Sequence, residues 1–196
     1  MIPLSAQSPP PSGPAGSRSW ARQTTPLALA LLLAAAAFLI VLARYQPPPA
    51  RPATAPAQEF SALRAEAVLR TILGNEEPHP VGSAADARVR RAILTELTRL
   101  GYEPHVEKGF ACSYDGVCAE VQNVLARLEG RQRGETVLLA AHYDSVPAGP
   151  GASDDGSGVA SILEIARALK AGPPPLHPVV YLIDEGEEAG LLGAVE

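Results

Sequence analysis

An uninterrupted apolar run near the N-terminus constrains this chain more than any other feature. From Leu27 to Ala43 the chain holds 17 consecutive residues drawn only from Leu, Ala, Phe, Ile and Val, with Arg44 directly after them. A helix of this length spans about 26 Å at about 1.5 Å per residue, which is at the short end of what crosses a bilayer. We therefore predict an uncleaved transmembrane anchor over residues 26–44, with residues 27–43 in the membrane.

A cleaved signal peptide is the alternative interpretation of this run. The run is longer than the usual apolar core of about 7 to 15 residues, and no clean small-x-small cleavage site follows it. Two Arg residues lie on each side, so the positive-inside rule does not determine the orientation. We expect a single-pass membrane segment with the N-terminal tail inside and the domain outside the cytoplasm.

The segments on either side of the anchor have compositions that disfavour a packed core. Residues 1–25 are rich in Pro, Ser, Gly and Ala, and we expect a disordered tail because they cannot bury enough apolar surface to offset the entropy of ordering. Residues 46–57 contain five Pro in twelve residues, which predicts an extended, semi-rigid linker over residues 45–57. The folded domain is then expected from residue 58 onward.

Charge separates this leader from the domain. All 21 acidic residues lie after position 57 and four of the 16 basic residues lie before it, so the leader carries +4 and the remaining 139 residues carry 12 − 21 = −9. Binding to nucleic acid needs a basic face, so no nucleic-acid partner is expected. Two cysteines exclude a disulfide-dense scaffold and a cysteine-built zinc finger. Cys112 and Cys118 can meet across a hairpin tip; a disulfide is favoured if the domain is exported, and free thiols stay open.

Apolar patterning in the domain alternates between helices and strands. Residues 60–72, 89–100 and 156–171 have apolar side chains at helical spacing. Strand-like stretches lie at residues 103–110, 120–128, 136–141 and 179–184. The stretch TVLLAA at 136–141 is apolar without alternation, as in a strand covered on both faces. Strand, helix and strand in this order predict an α/β fold with a mixed, largely buried β-sheet sandwiched by helices.

Polar residues follow the two most apolar strands. His142 and Asp144 come directly after TVLLAA, the next loop carries Asp154, and residues 184–188 (DEGEE) follow VVYLI. Each cluster alone has an ordinary interpretation, as a strand-end histidine, a turn or a solvated loop. Together they are expected at one edge of the sheet, where carboxylates repel unless a cation lies between them. Histidine with carboxylates predicts a zinc or manganese site, with Asp144 as a ligand or behind the His142 ring.

These residues resemble the co-catalytic zinc exopeptidases of the aminopeptidase Y type. The resemblance is carried by His142–Ser145 (HYDS), by Pro150–Asp155 (PGASDD) with Gly158, and by Glu187–Leu191 (EEAGL). Two upstream stretches, PHPVGS at 78–83 and VQNVLARLEG at 121–130, are similar to the membrane-bound branch with vacuolar and endoplasmic-reticulum metallopeptidases. The resemblance extends from about Phe60 to the end of the chain.

The resemblance implies a role for each site residue. It implies that His142 binds one zinc ion, Glu188 binds a second and Asp154 bridges both, so that a complete site holds two Zn²⁺ ions. It implies Glu187 as the general base and Asp144 as the residue that orients His142. The implied function is a membrane-anchored zinc metallopeptidase, an exopeptidase and most simply an aminopeptidase, which attacks peptides or small proteins with a two-zinc-activated water.

One departure from the family affects what this chain can do alone. The resemblance implies an Asp and a His ligand downstream of the Glu pair, but only eight residues follow Glu188. We expect residues 58–196 to be the N-terminal part of a truncated exopeptidase domain, inactive by itself. A glutaminyl-cyclase-like zinc acyltransferase and a membrane-tethered binding module without catalysis are the alternative functions. Nothing in the sequence indicates the oligomeric state.

Overall fold

A computed structural model of the chain describes residues 21–194, with side chains from residue 26 onward, in two units divided at Pro48 and Pro49. The first unit contains helix α1 (Ala21–Arg44). Among the described residues α1 has the one segment, Pro26–Arg44, that is long and apolar enough to cross a membrane, and its side chains are exposed. The helix begins five residues before the predicted anchor, so residues 21–25 are helical rather than part of a tail. Residues 1–20 of the predicted tail lie outside the described residues.

The second unit is built on a mixed four-stranded sheet. Its strands are β1 (His105–Cys112), β2 (Cys118–Leu128), β3 (Val137–His142) and β4 (Val179–Asp184), in the order β1-β2-β4-β3. The pairs β1–β2 and β2–β4 are antiparallel, whereas β3 and β4 are parallel with His142 beside Asp184. The parallel pair is joined through helix α4 (Ser157–Ala171). The predicted mixed α/β sheet is therefore confirmed.

Three helices share one apolar core with the sheet. Helix α2 (Ala62–Leu73), helix α3 (Ala84–Arg99) and α4 contribute to a single cluster of buried side chains. Fully buried members of that cluster are Ile93, Leu97, Val124, Leu163, Tyr181 and Ile183. Each such side chain contributes about 1.5–3 kcal/mol relative to an exposed position. This core holds the carboxyl ends of β3 and β4 in place.

Strand β3 departs from the prediction that both its faces are covered. Val137 is 48 % exposed and Leu138 is 57 % exposed, and only its last two residues are buried. The physical reason is its position, since β3 is an edge strand of the described sheet. The apolar composition of β3 predicted burial along the whole strand. Within the described residues, only the end that carries His142 is buried.

The second half of the Pro-rich linker packs on the domain, whereas an extended spacer was predicted for it. Ser61 donates its hydroxyl hydrogen bond to the carbonyls of Arg51 and Pro52. The Arg64 guanidinium donates to backbone carbonyls of residues 53, 55 and 59, and the Arg167 guanidinium donates to those of residues 57 and 59. A guanidinium group has five N–H donors in a fixed planar arrangement, and the backbone carbonyls of the linker accept hydrogen bonds from several of them. Residues 51–59 therefore pack against α2 and α4.

A buried carboxylate holds this arrangement together. Glu164 is 1 % exposed and accepts hydrogen bonds from the Ser61 backbone N–H and from both Arg64 and Arg167, at 2.7–3.0 Å. Burial opposes ionisation, but hydrogen bonds from Arg167, Ser61 and Arg64 outweigh it and lower the pKa of Glu164. The carboxylate is therefore charged at neutral pH.

Replacing Glu164 with Gln is expected to lower the free energy of unfolding by about 1.5–3 kcal/mol, the usual contribution of a hydrogen bond to a charged group. The pKa of Glu164 is lowered in the folded state, so its carboxylate contributes full stability above the ordinary pKa of a glutamate. This contribution disappears as the pH falls through the pKa of the folded state. Urea unfolding at pH 7 and pH 3.5 measures both. Glu66→Gln is the matched control, since its partner Arg70 is exposed. An equal loss in both variants would contradict the assignment.

Candidate metal centre

Three segments bring candidate ligands together at the carboxyl ends of β3 and β4. His142 is the last residue of β3, Asp154 lies in the turn 152–156 before α4, and Glu188 lies in the loop after β4. Each offers one ligand atom, and these atoms lie within 4.8 Å of one another. His142 is buried, Glu188 is half-buried and Asp154 is exposed. The group therefore has a fixed inner side and a side open to solvent.

The two ring nitrogens of His142 face different partners. Nε2 lies 3.2 Å from Asp154 Oδ1 and 3.7 Å from Glu187 Oε2. Nδ1 lies 3.1 Å from the Asp144 backbone carbonyl and 3.5 Å from its carboxylate Oδ1. Nε2 is thus the nitrogen directed at the candidate ligands. Asp144 lies behind the ring, where a carboxylate orients a metal-binding histidine.

Asp144 also holds the loop that carries the glutamate pair. Its carboxylate is 1 % exposed, and its two oxygens accept the backbone N–H groups of Glu187 at 3.1 Å and Glu188 at 3.2 Å. One carboxylate therefore orients the His142 ring and the Glu187–Glu188 backbone at once. The spacing His-x-Asp left Asp144 open as a ligand or as a residue behind the His142 ring, the resemblance implied the orienting role, and the sequence contained no signal for the contact with the glutamate loop.

The charges of the group favour a cation between its members. In the metal-free protein, Asp144 above all, with Asp154 and Glu187, raises the pKa of His142 to about 9 against the opposing effect of burial. Burial and the negative charges of Asp154, Glu187 and Asp144 raise the pKa of Glu188. Carboxylates in this arrangement repel one another. The nitrogen and oxygen donors fit the ligand preferences of zinc, whose positive charge would relieve that repulsion.

Zinc binding is expected to compete with a proton on His142. Because its pKa lies near 9 without metal, zinc must displace that proton, so affinity should rise by about tenfold per pH unit between pH 6.5 and 8.5. Competition titration with a chelator across this range measures the slope. Without metal, the raised pKa stabilises the fold below about pH 6.5, and this contribution is lost as pH rises through about 9.

Substitution of exposed His105, which lies 3.6 Å from Glu107, is the control for this titration. His105→Gln should leave the pH dependence of zinc affinity unchanged, because this side chain belongs to β1 and not to the ligand group. A zinc affinity that is independent of pH would contradict the competition between zinc and the His142 proton.

Asn123 is a supporting residue that sequence reasoning missed. Its side-chain amide donates to the Gly193 carbonyl at 2.8 Å, and its oxygen accepts the Glu185 N–H at 3.1 Å. It therefore joins both ends of the loop that carries the glutamate pair. The available signal was a polar residue within the apolar strand segment VQNVLA.

The tip of the β1–β2 hairpin borders the same loop. Cys112 and Cys118 are opposite each other in the register and form a disulfide, the state that we predicted for an exported domain. Gly190, with φ +103°, lies so close to Ser113 in this tip that an added Cβ would be 2.5 Å from the Ser113 Cβ. The loop and the hairpin tip are therefore in direct contact.

Comparison with known proteins shows which family the segment with the candidate metal centre resembles. Residues 123–196, which contain every residue of the candidate metal centre, match the model of Peptidase family M28. Over this segment the chain is similar to peptidase family M28. The resemblance to co-catalytic zinc exopeptidases is therefore confirmed.

Proteins similar to this chain include membrane proteases. It is 37 % identical to a vacuolar membrane protease of Candida albicans over 120 residues, covering 60 % of this chain and 14 % of the relative. It is 43 % identical to endoplasmic reticulum metallopeptidase 1 of Mus musculus over 82 residues, covering 41 % of this chain and 9 % of the relative. The chain thus spans about a seventh or less of these relatives. Their names and helix α1 support membrane association.

Solved structures with the same fold include two enzyme classes. A Zn-dependent exopeptidase from Parabacteroides distasonis has a TM-score of 0.59 at 26 % identity, covering 70 % of this chain and 50 % of that one. A glutaminyl cyclase from an Acidobacteriales bacterium has a TM-score of 0.58 at 25 % identity, covering 72 % and 49 %. The zinc-exopeptidase-like fold is confirmed, and zinc is the metal that the family supports.

Proposed function

We propose that this chain contributes the anchor and part of the active site to a membrane-anchored zinc metallopeptidase. The observation that carries the proposal is the convergence of His142, Asp154 and Glu188 within 4.8 Å at the strand ends, with the carboxylate of Glu187 beside them. The substrates are peptides or small proteins, and the mode of attack is exopeptidase, most simply aminopeptidase. Residues 58–196 supply the N-terminal part of the catalytic domain.

We propose that the whole protein holds two zinc ions. His142 would bind one ion through Nε2, Glu188 would bind the other, and the exposed carboxylate of Asp154 would bridge them. When bound, two zinc ions lower the pKa of water and polarise a carbonyl oxygen. The buried inner side of the group, with Asp144 behind the ring, fixes His142 before metal arrives.

Glu187 has the position of a proton carrier. Its carboxylate lies 3.7 Å from His142 Nε2, and Asp144 accepts its backbone N–H, so its side chain is held beside the ligand group. There it accepts the proton of the attacking water and donates it to the leaving amine of the substrate. Glu188 is adjacent in sequence but is directed at Asp154 and His142 as a ligand.

The anchor and the disulfide support a location for the site. Residues 27–43 hold the protein in a membrane, and the Cys112–Cys118 disulfide is the state expected in an oxidising compartment. We propose that the domain lies on the non-cytoplasmic side of this membrane.

A glutaminyl cyclase is the second candidate, because such enzymes match the fold as well as exopeptidases do. The two functions differ in product. A peptidase releases free amino acids from unblocked peptides, whereas a cyclase converts an N-terminal glutamine to a ring without releasing a residue. Mass spectrometry of one peptide that begins with Gln and one that begins with Leu separates these outcomes.

Metal content tests the proposal at its base. We expect elemental analysis to give about two zinc ions per molecule of the whole protein and fewer in this 196-residue chain, with His142→Ala lowering both. The whole protein with bound zinc must also hydrolyse peptides. Absence of zinc from both forms would refute the metallopeptidase and leave a membrane-tethered binding module.

A further inference from the structure

A buried charged cluster lies behind the metal centre, formed by Asp86, Arg90, Tyr143 and Glu185. Asp86 and Arg90 belong to α3, Tyr143 follows β3, and Glu185 follows β4. Asp86 and Glu185 are no more than 1 % exposed. None of the four belongs to the ligand group, yet the cluster joins the two strand ends that carry it.

Glu185 ties the loop after β4 to three other segments. Its Oε1 accepts the Gly82 N–H at 3.2 Å and its Oε2 accepts the Gln122 N–H at 2.6 Å. The Arg90 guanidinium lies 3.7 Å from the same Oε2. These partners come from the segment before α3, from β2 and from α3 itself. The loop that carries Glu188 is therefore fixed at a point three residues before this ligand.

Arg90 connects the same point to the other strand end. Its Nη1 donates to Tyr143 Oη at 3.0 Å, and Tyr143 in turn donates to the Gln122 carbonyl at 2.9 Å. Tyr143 lies between His142 and Asp144 in the chain. One guanidinium thus contacts the residue after His142 and the carboxylate that anchors the Glu188 loop.

The charge of the cluster balances if Asp86 is neutral. Its Oδ2 lies 3.3 Å from Arg90, but its buried Oδ1 has no hydrogen-bond partner within residues 26–194, which strongly disfavours the ionised form. Burial first, and then the proximity of Glu185, raises the pKa of Asp86 to about 9, despite Arg90 and with a smaller contribution from Asp144. Arg90 and Glu185 then form the charged pair, and Asp86 fills space beside them.

We propose that Arg90 and Glu185 are positioning residues, whose partly buried ion pair sets the separation between His142 and Glu188. The proposal rests on the zinc site of the proposed function and deepens it. Neither residue contacts the ligand atoms, so their effect passes through Tyr143 and through the backbone of residues 185–188. Zinc affinity is therefore the property that their replacement should change.

The test compares two buried glutamates in the whole protein. Glu185→Gln is expected to weaken zinc binding by about tenfold or more, within the range usual for residues that orient metal ligands, and to lower kcat more than it changes KM. Glu164→Gln is the matched control, since Glu164 is equally buried and also paired with arginines but lies in the linker contact. It should lower the melting temperature and leave zinc affinity unchanged.

Two further variants keep the test decisive if Glu185→Gln does not fold. Arg90→Lys retains the positive charge and should weaken zinc binding several-fold, because the shorter lysine side chain does not place its ammonium where Arg90 Nη1 contacts both Tyr143 and Glu185. Asp86→Asn imitates the neutral acid and should bind zinc as the unsubstituted protein does. Chelator competition gives the affinities, and circular dichroism confirms the fold.

Distinct results overturn the two proposals. Unchanged zinc affinity in a folded Glu185→Gln or Arg90→Lys protein would overturn the positioning role alone. Equal loss of zinc affinity in Glu164→Gln would do the same, because the effect would then be general instability. An unsubstituted whole protein that binds no zinc would overturn the proposed function and, with it, this inference.

Discussion

Glu187→Gln in the whole protein is expected to lower kcat for peptide hydrolysis by about 10²–10⁴-fold, the usual contribution of a positioned general base. Gln has nearly the same shape and keeps the backbone N–H that Asp144 accepts, so the loop should not move. The amide cannot take a proton from water at neutral pH. Zinc content should stay at the unsubstituted level, because His142, Asp154 and Glu188 remain. Steady-state kinetics with elemental analysis on the same sample tests both statements.

The neighbouring glutamate supplies the control for this experiment. Glu188→Gln removes a ligand of the same type one residue away and should lower zinc content together with kcat. A Glu187→Gln protein that loses zinc would show that Glu187 binds metal, and the two roles would have to be exchanged. Turnover that persists in Glu187→Gln would remove it from the mechanism altogether.

The sequence was sufficient for the sheet and for the clustering of the ligand residues. Two apolar strands that each end in acidic residues, joined by one helix, require a parallel pair, and the parallel register places His142 beside Asp184. The carboxyl ends of both strands then face the same loop region, where Asp154 precedes α4. Residue patterning and the order of elements along the chain were sufficient for these predictions, because each one involved only elements that are neighbours in sequence.

Contacts between distant segments could not be predicted in this way. Arg64 and Arg167 are about a hundred residues apart, and their common attachment to Glu164 and the linker carbonyls exists only once α2 and α4 are packed together. The proline content of residues 46–57 predicted an extended linker, but it gave no indication of which side chains would bind the linker carbonyls. The Arg90–Glu185 pair depends on tertiary packing for the same reason.

Asp144→Asn is expected to weaken zinc binding by about 10–100-fold and to lower kcat, because this carboxylate orients the His142 ring and accepts both N–H groups of the glutamate pair. Asn keeps the shape but offers one oxygen, so one of the two N–H groups would face an amide NH₂. The loop that carries Glu187 and Glu188 would then lose half of its attachment to the strand that carries His142. Chelator competition and steady-state kinetics measure the two losses.

The pH dependence of zinc binding separates this role from general instability. Asp144 is the largest contributor to the raised pKa of His142, so Asp144→Asn should move that pKa downward from about 9 and flatten the rise of zinc affinity between pH 6.5 and 8.5. Asp155→Asn is the matched control, because Asp155 accepts the Gly158 N–H in the first turn of α4, a cap that Asn provides equally well. Its zinc affinity should retain the original slope. If Asp144→Asn also retains that slope, the carboxylate does not act on His142, and its contribution is limited to the backbone of the glutamate loop.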